Sequence, residues 1–205
     1  MTIKVRALGL AACIPLALGL ASGPTRDKID KIVIHTIGGP SCSEDGEVQF
    51  RPVPGNARTW INWFAKQPVV GIHYVVDREG VTLAGIPENQ VANHVVCCNQ
   101  HSIGIELVNN GDGVDKFSDV QIDALVTLLC DIAERNSLGA SDIKGHADLD
   151  TNTMKCGDTE TRRKVDPGAL FPWQDVLERV EKCRAPGEEK TPNEEQSVDE
   201  PEPSP

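Results

Sequence analysis

Apolar and polar positions along the chain follow two periods, one near two residues and one near three and a half. Lys31–Thr36 (KIVIHT) is a β-branched run that predicts a buried strand ending at a histidine. From Ile37 to Asn56 the chain is rich in Gly, Pro and Ser, which predicts a long loop; unstructured loops of about 15 residues or more are uncommon and often functional. Asn56 is placed to cap a helix over Ala57–Lys66, with Trp60, Ile61, Trp63 and Phe64 on its apolar side. Gly71–Asp77, a turn at Arg78, Glu79 and Gly80, and Val81–Ala84 predict a hairpin. Ser102–Val108 (SIGIELV) reads as another strand, alternating around Glu106. Ser118, with Gln121 three residues later as in a capping box, opens a helix carried by Val120, Ala124, Leu125, Leu128 and Ile132. That helix is expected to end near Asn136–Gly139. A short strand, Asp142–Lys144, leads to His146, and Trp173–Cys183 predicts a final amphipathic helix. Strands alternating with helices imply an α/β fold, a central mixed β-sheet flanked by helices. No internal repeat is present.

The two ends have a different character. Residues 1–23 pair the positive charges of Lys4 and Arg6 with the uncharged run Ala7–Leu20 and the small residues Ala21, Ser22 and Gly23, the pattern of an export signal. The expected location is therefore the periplasm or the extracellular space, after cleavage near Ala21. An alternative processing site, Leu10-Ala11-Ala12-Cys13, would acylate Cys13 and anchor the chain to a membrane lipid. The tail 185–205 holds seven acidic residues against Lys190 and lacks the apolar residues needed to fold. One domain, 24–184, remains between them, and it is expected to act as a monomer. A net charge of −11 argues against a nucleic-acid partner, which rewards clustered Lys and Arg.

Export changes how the cysteines read. Without Cys13 six remain, Cys42, Cys97, Cys98, Cys130, Cys156 and Cys183, an even count that suggests up to three disulfides in an oxidising compartment. Fifteen connectivities are open, and Cys130 inside a helix also fits a buried thiol. None of the six shows the CxxC spacing of a structural zinc site.

His35 at a strand end, His146 after another strand and Asp166 in a polar loop make up a His–His–carboxylate set suited to catalytic zinc. Alone, such a set is weak, because a histidine at a strand end is usually structural. Its surroundings are far more specific. The order IVIHT, GIHYVVDREG, NHV…NQHSIGIELV, KGHADLD and KVDPGALFPW resembles the zinc-dependent N-acetylmuramoyl-L-alanine amidases over about Lys31–Val180. That family includes phage amidase lysozymes and, more distantly, animal peptidoglycan recognition proteins. The resemblance implies an amidase/peptidoglycan recognition protein-like fold and a Zn²⁺ held by His35, His146 and Asp166. It further implies Glu106 as proton shuttle, Lys164 as oxyanion stabiliser, and substrate contacts at His94 and Asn99. The substrate it implies is peptidoglycan or muropeptide, cut between N-acetylmuramic acid and L-alanine. Where the phage branch carries a catalytic tyrosine this chain has Ile72, which groups it with the glutamate users.

Several residues have a plainer reading. By alternation with Ile103 and Ile105, Glu106 could face solvent, and Lys164 could belong to a surface charge run with Arg162 and Arg163. His73 reads as a packed, hydrogen-bonded histidine, Asn93 replaces the tryptophan that usually precedes His94, and His101 has no assigned role. The 20 residues from His146 to Asp166 are about twice the expected gap. The excess, Asp150–Arg163 with Cys156, is a candidate groove wall, and disulfides are expected to fasten such loops around the site. Two other functions compete with the zinc hydrolase: a peptidoglycan-binding module that lacks the third ligand, and a cysteine–histidine hydrolase using Cys97 or Cys98 near His94.

Overall fold

In a computed structural model of the protein, the described residues are Arg26 and 28–184, so the expected export signal, Cys13 and the acidic tail lie outside them. Strand β1 (Lys31–Thr36) has the bounds expected from its β-branched run, and its last five residues are buried. It lies between β6 (Ser102–Leu107) and the edge strand β7 (Ile143–Gly145), parallel to both. On the far side of β6 follow β4 (Tyr74–Val76), also parallel, and β5 (Thr82–Ala84), antiparallel at the other edge. The sheet is therefore mixed, as the alternation of elements implies.

Side chains alternate across each strand, so the two faces carry different chemistry. Ile32, Ile34, Ile103, Ile105 and Leu107 point to one face. There they meet Ile122, Leu125, Leu129 and Ile132 of α2 (Asp119–Asn136), and Val176 and Val180 of α4 (Trp173–Arg184). Each such side chain contributes about 1.5–3 kcal/mol when fully buried, so this aliphatic layer anchors the fold. Val33, His35, Gly104 and Glu106 alternate with these residues and point the other way. That second face is roofed by α1 (Ala57–Phe64), whose Trp60, Ile61 and Phe64 pack around Ile72, Val75 and Val108.

The caps explain where the helices begin. Asn56 accepts the Thr59 N–H at 3.1 Å, and α1 ends two residues before the expected Lys66. Ser118 accepts the Gln121 N–H at 3.2 Å, but Gln121 does not complete the capping box. Its buried side-chain amide donates to the carbonyls of Val76 and Val108 at 3.1 and 3.3 Å, tying α2 to the ends of the sheet.

Three features were not expected. The 37–56 loop contains a hairpin, β2 (Pro40–Cys42) with β3 (Val48–Phe50). The 150–163 insertion is a second hairpin, β8 (Thr153–Cys156) with β9 (Thr159–Arg162). His146 itself opens a one-turn helix, α3 (His146–Leu149). The two hairpins are joined by the Cys42–Cys156 disulfide. Their tips touch at Gly46 and Gly157, both at positive φ (79° and 55°); a Cβ on Gly46 would lie 2.9 Å from the Gly157 Cα. A second disulfide, Cys130–Cys183, links α2 to α4, so Cys130 is not the free buried thiol of the alternative reading. The third joins the neighbours Cys97 and Cys98. No helix among the described residues is long and apolar enough to cross a membrane.

Candidate metal centre

The site forms where parallel strands end on the polar face, as ligand sites in open α/β sheets commonly do. Register sets His35 opposite Glu106 on adjacent strands. It also sets Ile34 opposite Gly145, the last residue of β7, so His146 emerges level with His35. Asp166 arrives from the loop after β9, and its main-chain oxygen accepts the Ala147 N–H at 3.0 Å. The insertion does not carry Asp166 away, because a hairpin returns the chain to its starting point. Arg162 Nη2 closes the base by donating to the carbonyls of Ala147 and Asp150 at 2.6 and 2.9 Å, and Arg163 pairs with the Asp150 carboxylate. Arg162 and Arg163 thus hold α3 rather than forming a free charge run.

Three ligand atoms converge. His35 Nδ1 lies 2.9 Å from His146 Nδ1, and the two lie 3.2 and 3.1 Å from Asp166 Oδ2. A tetrahedral ion with metal–nitrogen bonds of about 2.0–2.1 Å has edges of about 3.3 Å, so these separations are a few tenths of an ångström short. All three residues are buried. Burial pushes the His35 imidazole below its usual pKa, only partly opposed by Asp166. A neutral ring keeps a lone pair to offer. Burial also pushes the Asp166 carboxyl up, but the close approach of the His146 and His35 rings outweighs it, leaving it below the usual carboxylate range. Two imidazoles and a carboxylate crowding their acceptor atoms together suit a central cation better than they suit one another.

Glu106 stands beside this cluster. It does not face open water as the alternation alone would allow: its Oε2 is buried with no hydrogen-bond partner among the described residues. Desolvation first, then the negative Asp166, push its pKa up to about 8, against the pull of the Lys164 ammonium. A group poised near neutral pH is what proton transfer needs. Lys164 lines the same cavity of about 410 Å³ as His35, His94, Glu106, His146 and Asp166. Trp60, Trp63, Phe64 and Val70 also line that cavity.

This aromatic wall was missed by sequence reasoning, which took those residues as the packed side of α1. Trp63 is 44% exposed. A signal was available, since two of the three tryptophans and one of the four phenylalanines fall within five residues of a chain poor in aromatics. His94 lines the cavity, but both of its ring nitrogens are engaged by the protein, with His35 and Ser102. Asn99 is not part of the lining. Its Oδ1 accepts the N–H groups of His94 and Val95 at 2.9 and 2.8 Å, and its amide donates to Asn93 at 3.3 Å. His73 is the packed histidine expected: Nδ1 accepts the Gly104 N–H at 3.0 Å, and burial pushes its pKa down to about 4. His101 is exposed, away from the cavity lining. Cys97 and Cys98 are bonded to each other, which leaves the cysteine–histidine hydrolase without a thiolate.

A buried His–His–Asp cluster able to hold a metal ion, next to a carboxyl raised toward neutrality at the ends of parallel strands, is the arrangement of an α/β metallohydrolase. The family model for N-acetylmuramoyl-L-alanine amidase matches residues 25–169, and the chain belongs to that family. It is similar to N-acetylmuramoyl-L-alanine amidase AmiD of Escherichia coli K12, with 34% identity over 109 residues, covering 46% of this chain and 36% of that protein. It is also similar to 1,6-anhydro-N-acetylmuramyl-L-alanine amidase AmpD of Enterobacter cloacae, 29% identical over 107 residues, covering 48% of this chain and 51% of that one. The matches thus span about half or less of these relatives' length. The solved complex of E. coli AmiD with anhydro-N-acetylmuramic acid-L-Ala-D-gamma-Glu-L-Lys superposes with a TM-score of 0.54 at 25% identity, over 80% of this chain and 61% of that one.

Proposed function

We propose that the chain is a zinc-dependent amidase that hydrolyses the amide between N-acetylmuramic acid and L-alanine in peptidoglycan or muropeptides. The observation that carries the reading is the meeting of His35, His146 and Asp166 beside Glu106, whose Oε2 is buried without a hydrogen-bond partner. His35 and His146 through Nδ1, and Asp166 through Oδ2, would hold the ion. When bound, zinc supplies Lewis acidity and brings the ionisation of water to about pH 7. Glu106 takes the proton of the attacking water at its carboxylate and returns it to the departing amine of L-alanine, acting as base and then acid. Lys164 directs its ammonium at the oxygen on which negative charge develops. Trp60, Trp63 and Phe64 offer apolar faces to the sugar or to the methylene groups of the stem peptide. Export through residues 1–23, with or without a lipid on Cys13, fits a substrate that lies in the wall, and three disulfides fit an oxidising compartment. A binding module would need no third ligand and no poised carboxyl.

The test is digestion of purified sacculi and of soluble muropeptides by wild type and by Asp166→Ala, with products identified by mass. Free stem peptides from wild type alone are expected. Cleavage of glycan or of peptide cross-links instead would refute the reading.

A further inference from the structure

The hydrogen bonds around His94 fix where the protons sit on two rings. Ser102 Oγ donates to the Cys98 carbonyl at 2.8 Å, so toward His94 Nε2, at 3.2 Å, it is left as an acceptor. His94 therefore carries its proton on Nε2 and presents a lone pair at Nδ1. That lone pair lies 3.0 Å from His35 Nε2, which must supply the N–H. Nδ1 of His35 is then unprotonated, and it is this atom that faces His146 Nδ1 and Asp166 Oδ2. We infer that Ser102 and His94 are positioning residues for the metal: a proton-ordered relay, from the Cys98 carbonyl through Ser102 and His94, that locks His35 in its ligating tautomer and ring plane.

The surroundings are built to hold this relay. The rings of His94 and His35 are nearly perpendicular, at 88° with centroids 5.1 Å apart, and meet nitrogen to nitrogen. Beneath His94 lies Gly104, where a Cβ would come within 2.6–2.8 Å of three ring atoms. Only glycine leaves room for the imidazole there. The His94 backbone is seated by Asn99 Oδ1, and the buried Arg26 guanidinium binds the carbonyls of both Asn99 and Ser102. This gives His94 a role other than the substrate contact implied by resemblance. It also gives the unassigned Arg26 a task, since it ties the N-terminal segment to the back of the site.

The inference rests on the proposed zinc site, and the experiment separates the two. Imidazole ¹H–¹⁵N spectra of chelator-treated wild type are expected to show protons on Nε2 of both His35 and His94. A proton on His94 Nδ1 overturns the relay whatever the metal does. Zinc affinity, measured by competition with a chromophoric chelator, is expected to fall about 10- to 100-fold in His94→Phe and in the milder Ser102→Ala, the usual effect of losing a partner behind a ligand. Restoration of affinity in Ser102→Thr, which keeps the hydroxyl, supports the relay. If wild type binds one zinc and both His94→Phe and Ser102→Ala bind it equally well, the relay alone is overturned. If wild type takes up no zinc, the amidase reading and the relay fall together.

Discussion

Replacing Glu106 by glutamine should disable the site and stabilise the protein in the same stroke. In the folded chain this carboxyl titrates at about 8, against 4.5 in the unfolded reference. Between those values the folded state holds a proton that the unfolded state has released, so stability falls as pH rises through the window. Each unit of difference corresponds to about 1.4 kcal/mol. By pH 8 the accumulated loss is about 3–5 kcal/mol, roughly three-quarters of it already present at pH 7 and little of it below pH 4.5. Glutamine keeps the shape and does not titrate, so Glu106→Gln escapes this loss. The comparison belongs on chelator-treated protein with disulfides intact, because a dication beside Glu106 would itself hold the carboxylate charged. Urea unfolding of both proteins from pH 4 to pH 8 should give curves that separate progressively. At about 2–4 °C per kcal/mol the gap in Tm at pH 8 is on the order of 10 °C. Turnover by the zinc-loaded variant should drop by about 10²- to 10⁴-fold. A stability gap that stays flat across this pH range, or a variant less stable than wild type at pH 8, would refute the argument that Glu106 is desolvated.

Other expectations follow from the same geometry. Lys164→Ala should lose about 10²- to 10³-fold in kcat/KM with zinc stoichiometry unchanged, as read by muropeptide hydrolysis and metal analysis; equal loss of zinc would mean that the lysine supports the site structurally instead. The double substitution Cys42→Ser and Cys156→Ser opens a loop with a sequence separation of 114 and should cost about 3–5 kcal/mol in urea unfolding. Thiol titration of denatured, non-reduced mature protein lacking Cys13 should find none of the six cysteines free, and six free thiols would dismiss all three bridges.

Much of this architecture was legible because local and long-range preferences agree. The β-branched KIVIHT run, the Asn56 and Ser118 caps and the apolar spacing of α2 each specify their element without outside help. The ligand cluster was legible for a different reason: separated motifs fell in a matching order, though no single residue was persuasive. What remained hidden depends on tertiary pairing. Nothing in Pro40–Phe50 or Thr153–Arg162 announces a strand; each segment folds back on itself at a turn, and the Cys42–Cys156 disulfide ties one hairpin to the other. The fate of Glu106 was equally hidden. Alternation put it opposite Ile103 and Ile105, but only α1 and the loops covering that face decide that its carboxyl is half-buried, with Oε2 shut away from water. Gln121 fits a capping-box pattern and instead serves the sheet, since a buried amide finds better acceptors in two strand-end carbonyls.

The disulfides also overlap in sequence, with one consequence for how the chain would withstand a cut. The bridge from residue 42 to residue 156 and the bridge from residue 130 to residue 183 together span everything between 42 and 183 without a gap. A single peptide-bond break anywhere in that interval leaves no fragment free to diffuse away. Glu106, His146, Lys164 and Asp166 all lie inside it. His35 lies outside, on the interior strand β1, held by hydrogen bonds to strands on both sides. A nicked molecule would therefore keep its parts in register and could remain whole in function after it had ceased to be one continuous chain.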